Sequence, residues 1–94
     1  MKDDRIQELL NQGAALLTAA GAREVYVFGS VAAGQSRQGS DVDLAVAGLP
    51  PERFFSTMAK LENLFDRAVD LVDLDDTSPF TEYLRTKGSL RRVA

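Results

Sequence analysis

The chain has 94 residues, 45% of them hydrophobic and 27% charged, with three prolines, a composition that predicts one folded domain over residues 1–94 rather than a disordered chain. It contains no cysteine and no histidine, which excludes disulfides, zinc–thiolate sites, thiol catalysis, Ser-His-Asp hydrolysis and imidazole acid–base chemistry, and leaves carboxylates and hydroxyls as the reactive groups. A net charge of −3 argues against holding nucleic acid by phosphate neutralisation, and no apolar run approaches the roughly 18 residues of a membrane span.

The opening segment, MKDDRIQELL, is charged and amphipathic without the apolar stretch of a secretory signal, so a cytoplasmic location is expected. From Asp3 to Ala20 the residues Ile6, Leu9, Leu10, Leu16 and Leu17 recur at helical spacing, with Asp3 or Asp4 suited to the N-cap and Gly21 to the position after the last turn. REVYVF, Arg23 to Phe28, is β-branched and aromatic and stops at Gly29, which predicts a first strand. Residues 29–40 hold three glycines and three serines and read as loop, with room for a short helical turn over Val31 to Gln35.

DVDLAVA, Asp41 to Ala47, predicts a second strand, closed by Gly48 and the Pro50-Pro51 pair. Pro51 suits the first turn of a helix whose apolar stripe is Phe54, Phe55, Met58, Leu61, Leu64 and Phe65, read as core rather than as a base-stacking platform. RAVDLVDL, Arg67 to Leu74, predicts a third strand, with Asp73, Asp75 and Asp76 as its solvated exit, and a last helix begins near Phe80 and is interrupted around Gly88. Tyr26 and Tyr83 are expected to be half-buried.

Strands two and three are joined through a helix and are expected to be parallel neighbours by a right-handed crossover. The expected fold class is α/β (α+β), a small mixed three-stranded sheet flanked by helices, with Gly29 and Ser30 at the same edge as Asp41 and Asp43.

Side chains alternate along a strand, so Asp41 and Asp43 project to one side, about 6.5–7 Å apart. Two carboxylates at that spacing can converge on cations, and oxygen-only ligands suit Mg²⁺ or Mn²⁺. Asp70 lies within AVDLV, where a parallel strand should be a continuous apolar run; a buried aspartate there costs on the order of several kcal/mol unless paired, hydrogen-bonded or metal-bound. Gly29-Ser30 offers backbone N–H groups and a hydroxyl for phosphate oxygens, Gly34 and Gly39 let the loop turn, and Ser40 can orient the strand that starts at Asp41.

Gly29-Ser30, ten intervening residues, Asp41-Val42-Asp43, and Asp70 on a later strand resemble the signature of the DNA polymerase β-type nucleotidyltransferase superfamily. Size and the VDLV segment make the chain similar to a minimal nucleotidyltransferase (MNT), the antitoxin half of HEPN/MNT, type VII-like, toxin–antitoxin pairs. The resemblance implies a polymerase β-type fold in which Asp41 and Asp43 hold two Mg²⁺ ions, with Mn²⁺ as an alternative. Asp70 then helps bind the catalytic ion and activates the attacking hydroxyl, while Gly29 and Ser30, with Ser40 and Arg37 nearby, hold the triphosphate of ATP. Two metals about 3.5–4 Å apart stabilise both the attacking and the leaving oxygen of an in-line displacement.

Relatives commonly carry a basic residue just before the glycine matching Gly34, where this chain has Ala32-Ala33, so Arg37, Arg85 or Lys87 becomes the candidate source of positive charge. The function implied is transfer of AMP from ATP to a tyrosine of a HEPN ribonuclease partner, which silences it within a hetero-oligomer. Two alternatives stay open: a subunit that modifies a small molecule such as an aminoglycoside, and a non-catalytic antitoxin that neutralises its partner by contact.

Overall fold

A computed structural model describes residues 4–29, 41–88 and 90–94. In chain order these form α1 (Asp4–Ala19), β1 (Glu24–Phe28), β2 (Val42–Ala47), a 3-10 turn (Pro51–Arg53) running into α2 (Phe54–Phe65), β3 (Val69–Asp73), α3 (Pro79–Thr86) and β4 (Arg91–Arg92). The sheet order is β3-β2-β1-β4; β2 and β3 are parallel through α2, and β1 runs antiparallel to both β2 and β4.

The mixed sheet and the parallel crossover agree with expectation, but the sheet has four strands rather than three. β4 is extended past its two residues by Val93 N–H donating to Val25 O at 2.8 Å and Val25 N–H donating to Ala94 O at 3.0 Å. RRVA has no alternating pattern that marks a strand; its backbone closes the free edge of β1, with the Arg92 guanidinium over the Tyr26 ring and Val93 packed against the core.

α1 ends as its glycine predicts: Gly21 sits at φ 118° and Ala22 N–H donates to Leu17 O at 3.0 Å, the six-to-one bond of a Schellman cap. Leu10, Ala14 and Leu17 of α1, with Leu61 and Phe65 of α2, bury one face of the sheet, built from Val25, Val27, Val42, Leu44, Val46, Val69 and Leu71. Phe55 does not join them. The buried line of α2 is Thr57, Leu61 and Phe65, and Phe55, on the opposite side of the first turn, is 76% exposed with its ring edge-on to Phe54. Tyr26 is half-buried as expected, whereas Tyr83 on the outer side of α3 is 55% exposed.

α2 stops at Asp66, held in the left-handed region at φ 55° with its N–H donating to Glu62 O at 2.8 Å. Glycine takes that conformation without a Cβ penalty, so Asp66→Gly is expected to stabilise the fold by about 0.5–1 kcal/mol after the entropy it adds to the unfolded chain. Thermal unfolding should show a midpoint a few degrees higher; an unchanged or lower midpoint refutes it.

The second face of the sheet is covered only in part. Ala45, Ala47 and Leu74 are buried there, with Tyr26, Phe28, Val72 and Leu90 packed around them. α3 lies over this face, entered one residue earlier than expected through a capping box in which Ser78 accepts from Thr81 N–H and Thr81 Oγ1 accepts from Ser78 N–H. Its Arg85 guanidinium donates to Leu74 O at 2.5 Å. Among the acids after β3, Asp75 is exposed as expected and is also a tie: it accepts from Gly48 N–H at 2.6 Å and meets Arg23 at 3.8 Å. Gly48 leaves β2 where Asp75 leaves β3, side by side in the parallel pair, and Arg23 precedes β1, which starts at that end because it runs antiparallel to β2. Among the described residues no helix is long and apolar enough to cross a membrane.

Candidate active site

Strand register assembles the site. Phe28 pairs with Asp43 across the antiparallel β1–β2 ladder, and Asp43 pairs with Asp70 across the parallel β2–β3 ladder. Val42, Leu44, Val69 and Leu71 all face the helical core, so alternation turns Asp43 and Asp70 to the opposite face, where Phe28 also lies. The three form a row across the sheet, spanning about 10 Å at two strand spacings.

Burial within this row differs from expectation. Asp70 is exposed because β3 is an edge strand with its outer face open, while Asp43 on the central strand is half-buried. The desolvation assigned to Asp70 from its apolar flanks therefore falls on Asp43. Burial pushes the Asp43 carboxyl above the usual aspartate value, reinforced by the charge of Asp70, a hydrogen bond with Asp70, and the charge of Asp41. Asp41 itself stands exposed one residue before β2 rather than inside the strand.

Among the described residues, no three carboxylates are closed into a ready metal-ligand set. Among those residues no lysine or arginine forms an ion pair with Asp43 or Asp70; the ion pair present is Arg23 with Asp75. Two neighbouring carboxylates, one of them resisting ionisation because of its burial and the charge of the other, are a donor set that a hard divalent cation fits.

Gly29 follows β1 at φ 74°, and a Cβ there would collide with the Asp43 carboxylate. The end of β1 can thus lie against the acid only because the residue is glycine. Ser30, Arg37 and Ser40 lie outside the described residues, as do Ala32, Ala33, Gly34 and Gly39. Of the other basic candidates, Arg85 is engaged with Leu74 O, and Lys87 is exposed at the end of α3.

Sequence reasoning missed the wall beside the acids. A cavity of about 280 Å³ is lined by Asp43 and Asp70 together with Phe28, Phe54, Met58 and Phe80. Phe28 and Phe80 meet edge to face with centroids 6.2 Å apart. The available signal was Phe28, an aromatic at the end of a strand next to the motif glycine; the α3 contribution had no local signal. Tyr26, on the same face, donates its hydroxyl to Glu24 at 2.8 Å, which raises its pKa and holds its proton.

The Asp43 shift has a signed consequence for stability. At pH below its ordinary value of 3.8 the carboxyl is protonated whether the chain is folded or not, and no penalty exists. As pH rises through the raised folded value, only the unfolded chain ionises freely, so the metal-free fold loses this contribution to stability. A divalent cation binds the ionised form. The rise in melting temperature caused by millimolar Mg²⁺ is therefore expected to be small near pH 4 and to grow toward neutrality, with about 2.7 kcal/mol of stabilisation at 100 times the dissociation constant. An Mg²⁺ effect independent of pH counts against cation binding at these acids.

The family model described as polymerase beta, nucleotidyltransferase, matches residues 6–90. A solved toxin–antitoxin structure with AMP-PNP is 30% identical, covering 86% of this chain and 70% of that chain at a TM-score of 0.71. A protein described as a minimal nucleotidyltransferase is 29% identical, covers 95% of both chains and reaches a TM-score of 0.76. A third structure, a tri-AMPylated Shewanella oneidensis HEPN toxin in complex with MNT antitoxin, is 27% identical over 89% of this chain and 70% of that chain, with a TM-score of 0.64. Among curated proteins none matches the chain.

Proposed function

Because the chain belongs to the polymerase beta nucleotidyltransferase family, we propose that it is an antitoxin that transfers AMP from ATP to a tyrosine hydroxyl of a partner HEPN toxin and so neutralises it. Its setting is the cytoplasm and its working form a hetero-oligomer with that toxin. The observation that carries the reading is the register that places Asp43 opposite Asp70 with Gly29 against Asp43. The similar structures support the partner and the nucleotide, one holding AMP-PNP in a toxin–antitoxin complex and another an AMPylated HEPN toxin with its MNT antitoxin.

Asp41, Asp43 and Asp70 are the residues that would hold two Mg²⁺ ions, or Mn²⁺. When bound, these neutralise charge on the phosphates. The backbone at Gly29, continuing into Ser30, receives the triphosphate, with Ser40 and Arg37 as further contacts. Asp70, the open acid of the row, accepts the proton of the incoming hydroxyl at a carboxylate oxygen. The hydroxyl oxygen bonds to the α-phosphorus, the bond from that phosphorus to the bridging oxygen breaks, and pyrophosphate leaves with the electron pair.

Incubation of the protein with Mg²⁺ and its genomic neighbour, using ATP labelled at the α- or the γ-phosphorus, tests the reading. Label from α only, absent with the Asp41→Asn/Asp43→Asn double variant, is expected. Absence of label while the partner binds favours neutralisation by contact, a reading to which the exposed Phe55, Phe80 and Tyr83 lend a surface.

A further inference from the structure

The cavity beside the acids is unassigned by the nucleotide reading, and its position in the row says what it can take. Gly29 marks the β1 end of the row, where phosphates are received; Asp43 is central; Asp70 is on the edge strand. In-line displacement requires the attacking oxygen and the departing pyrophosphate on opposite sides of the phosphorus. With pyrophosphate at the Gly29 end, the attacking group must arrive from the Asp70 end. Asp70 lines the cavity there, together with Asp43, Phe28, Phe54, Met58 and Phe80.

We propose that this cavity is the seat of the acceptor side chain, a phenol ring of the partner protein, with Phe80, Phe54 and Met58 selecting an aromatic hydroxyl over an aliphatic one. The proposal rests on the nucleotidyl-transfer reading above and adds the residues that choose the acceptor. The chemistry of the lining matches: carboxylates for the hydroxyl, and aromatic and thioether groups for the ring. Its volume, about 280 Å³, has room for one aromatic ring. Phe80 is 50% exposed, so the cavity meets solvent with an aromatic group of the kind that anchors protein interfaces.

The chain has two methionines, so the Met58 methyl resonance is an assignable reporter in the whole protein. N-acetyl-tyrosinamide is expected to shift it saturably, in the presence of Mg²⁺ and AMP-PNP as well as in their absence, and N-acetyl-serinamide is expected to leave it in place. Phe80→Ala, at a half-exposed position, should weaken the tyrosinamide titration about tenfold and leave the AMP-PNP titration within twofold. If AMP-PNP itself moves Met58 and displaces tyrosinamide, the cavity is a base seat and the proposal falls. It also falls if tyrosinamide leaves Met58 unmoved. Failure of the α-phosphorus labelling with a shifting Met58 would instead overturn the nucleotidyl-transfer reading and leave the phenol seat standing.

Discussion

Asp43→Asn is expected to abolish nucleotidyl transfer, by at least about 100-fold, while the metal-free protein melts no lower, and at neutral pH higher, than the unaltered chain. The two halves of this result have one cause. Asp43 is the half-buried member of the acid row, and its ionisation is opposed by burial and by Asp70 and Asp41. Asparagine removes that repulsion, keeps the shape, and can donate a hydrogen bond to Asp70, so the fold is relieved. The same change removes a charged oxygen from the proposed cation set, where losing even an outer-shell partner costs about 10–100-fold. Transfer of label from the α-phosphorus, with melting curves in and out of Mg²⁺, reads both. A variant that retains transfer, or that loses it by unfolding without Mg²⁺, contradicts this account.

Gly29→Ala is the second large effect. The backbone there lies at φ 74°, which costs a residue with a Cβ roughly 1–3 kcal/mol, and the added methyl would occupy the place of the Asp43 carboxylate. The carboxylate can swing aside, so the fold survives, but the row is broken at its centre. A displacement of about 1 Å at a reacting centre can lower a rate about 100-fold. Transfer should fall by about that factor with a modest loss in melting temperature, and binding of the partner should persist. Activity near the unaltered level would show that the contact between Gly29 and Asp43 does not position the acid.

Much of the site is legible in the sequence because its parts are local. Gly29, Ser30, Asp41 and Asp43 lie close together in the sequence, and strand alternation alone sets where Asp43 points. The apolar runs of β1, β2 and β3 and the helical stripe of α2 likewise announce themselves, as does the glycine that ends α1. The parallel neighbourhood of β2 and β3 follows from the helix between them, since a crossover of that kind has one hand.

What the tertiary structure decided depends on pairing between distant segments. Asp70 reads as buried from its apolar neighbours, yet it is exposed, because only the strand order reveals that β3 is an edge. The charge penalty moves to Asp43 for the same reason. β4 forms through backbone groups that the free edge of β1 leaves unpaired, and RRVA carries no side-chain pattern to announce it. Phe55 reads as core and is exposed, since which side of a helix faces inward is settled by what packs against it. The cavity joins side chains from β1, β2, α2, β3 and α3, a meeting that no local pattern encodes. Local sequence determines the chemistry available and the direction each strand side chain takes; burial, edges and cavities are properties of surfaces brought together, and they exist only once the register is made.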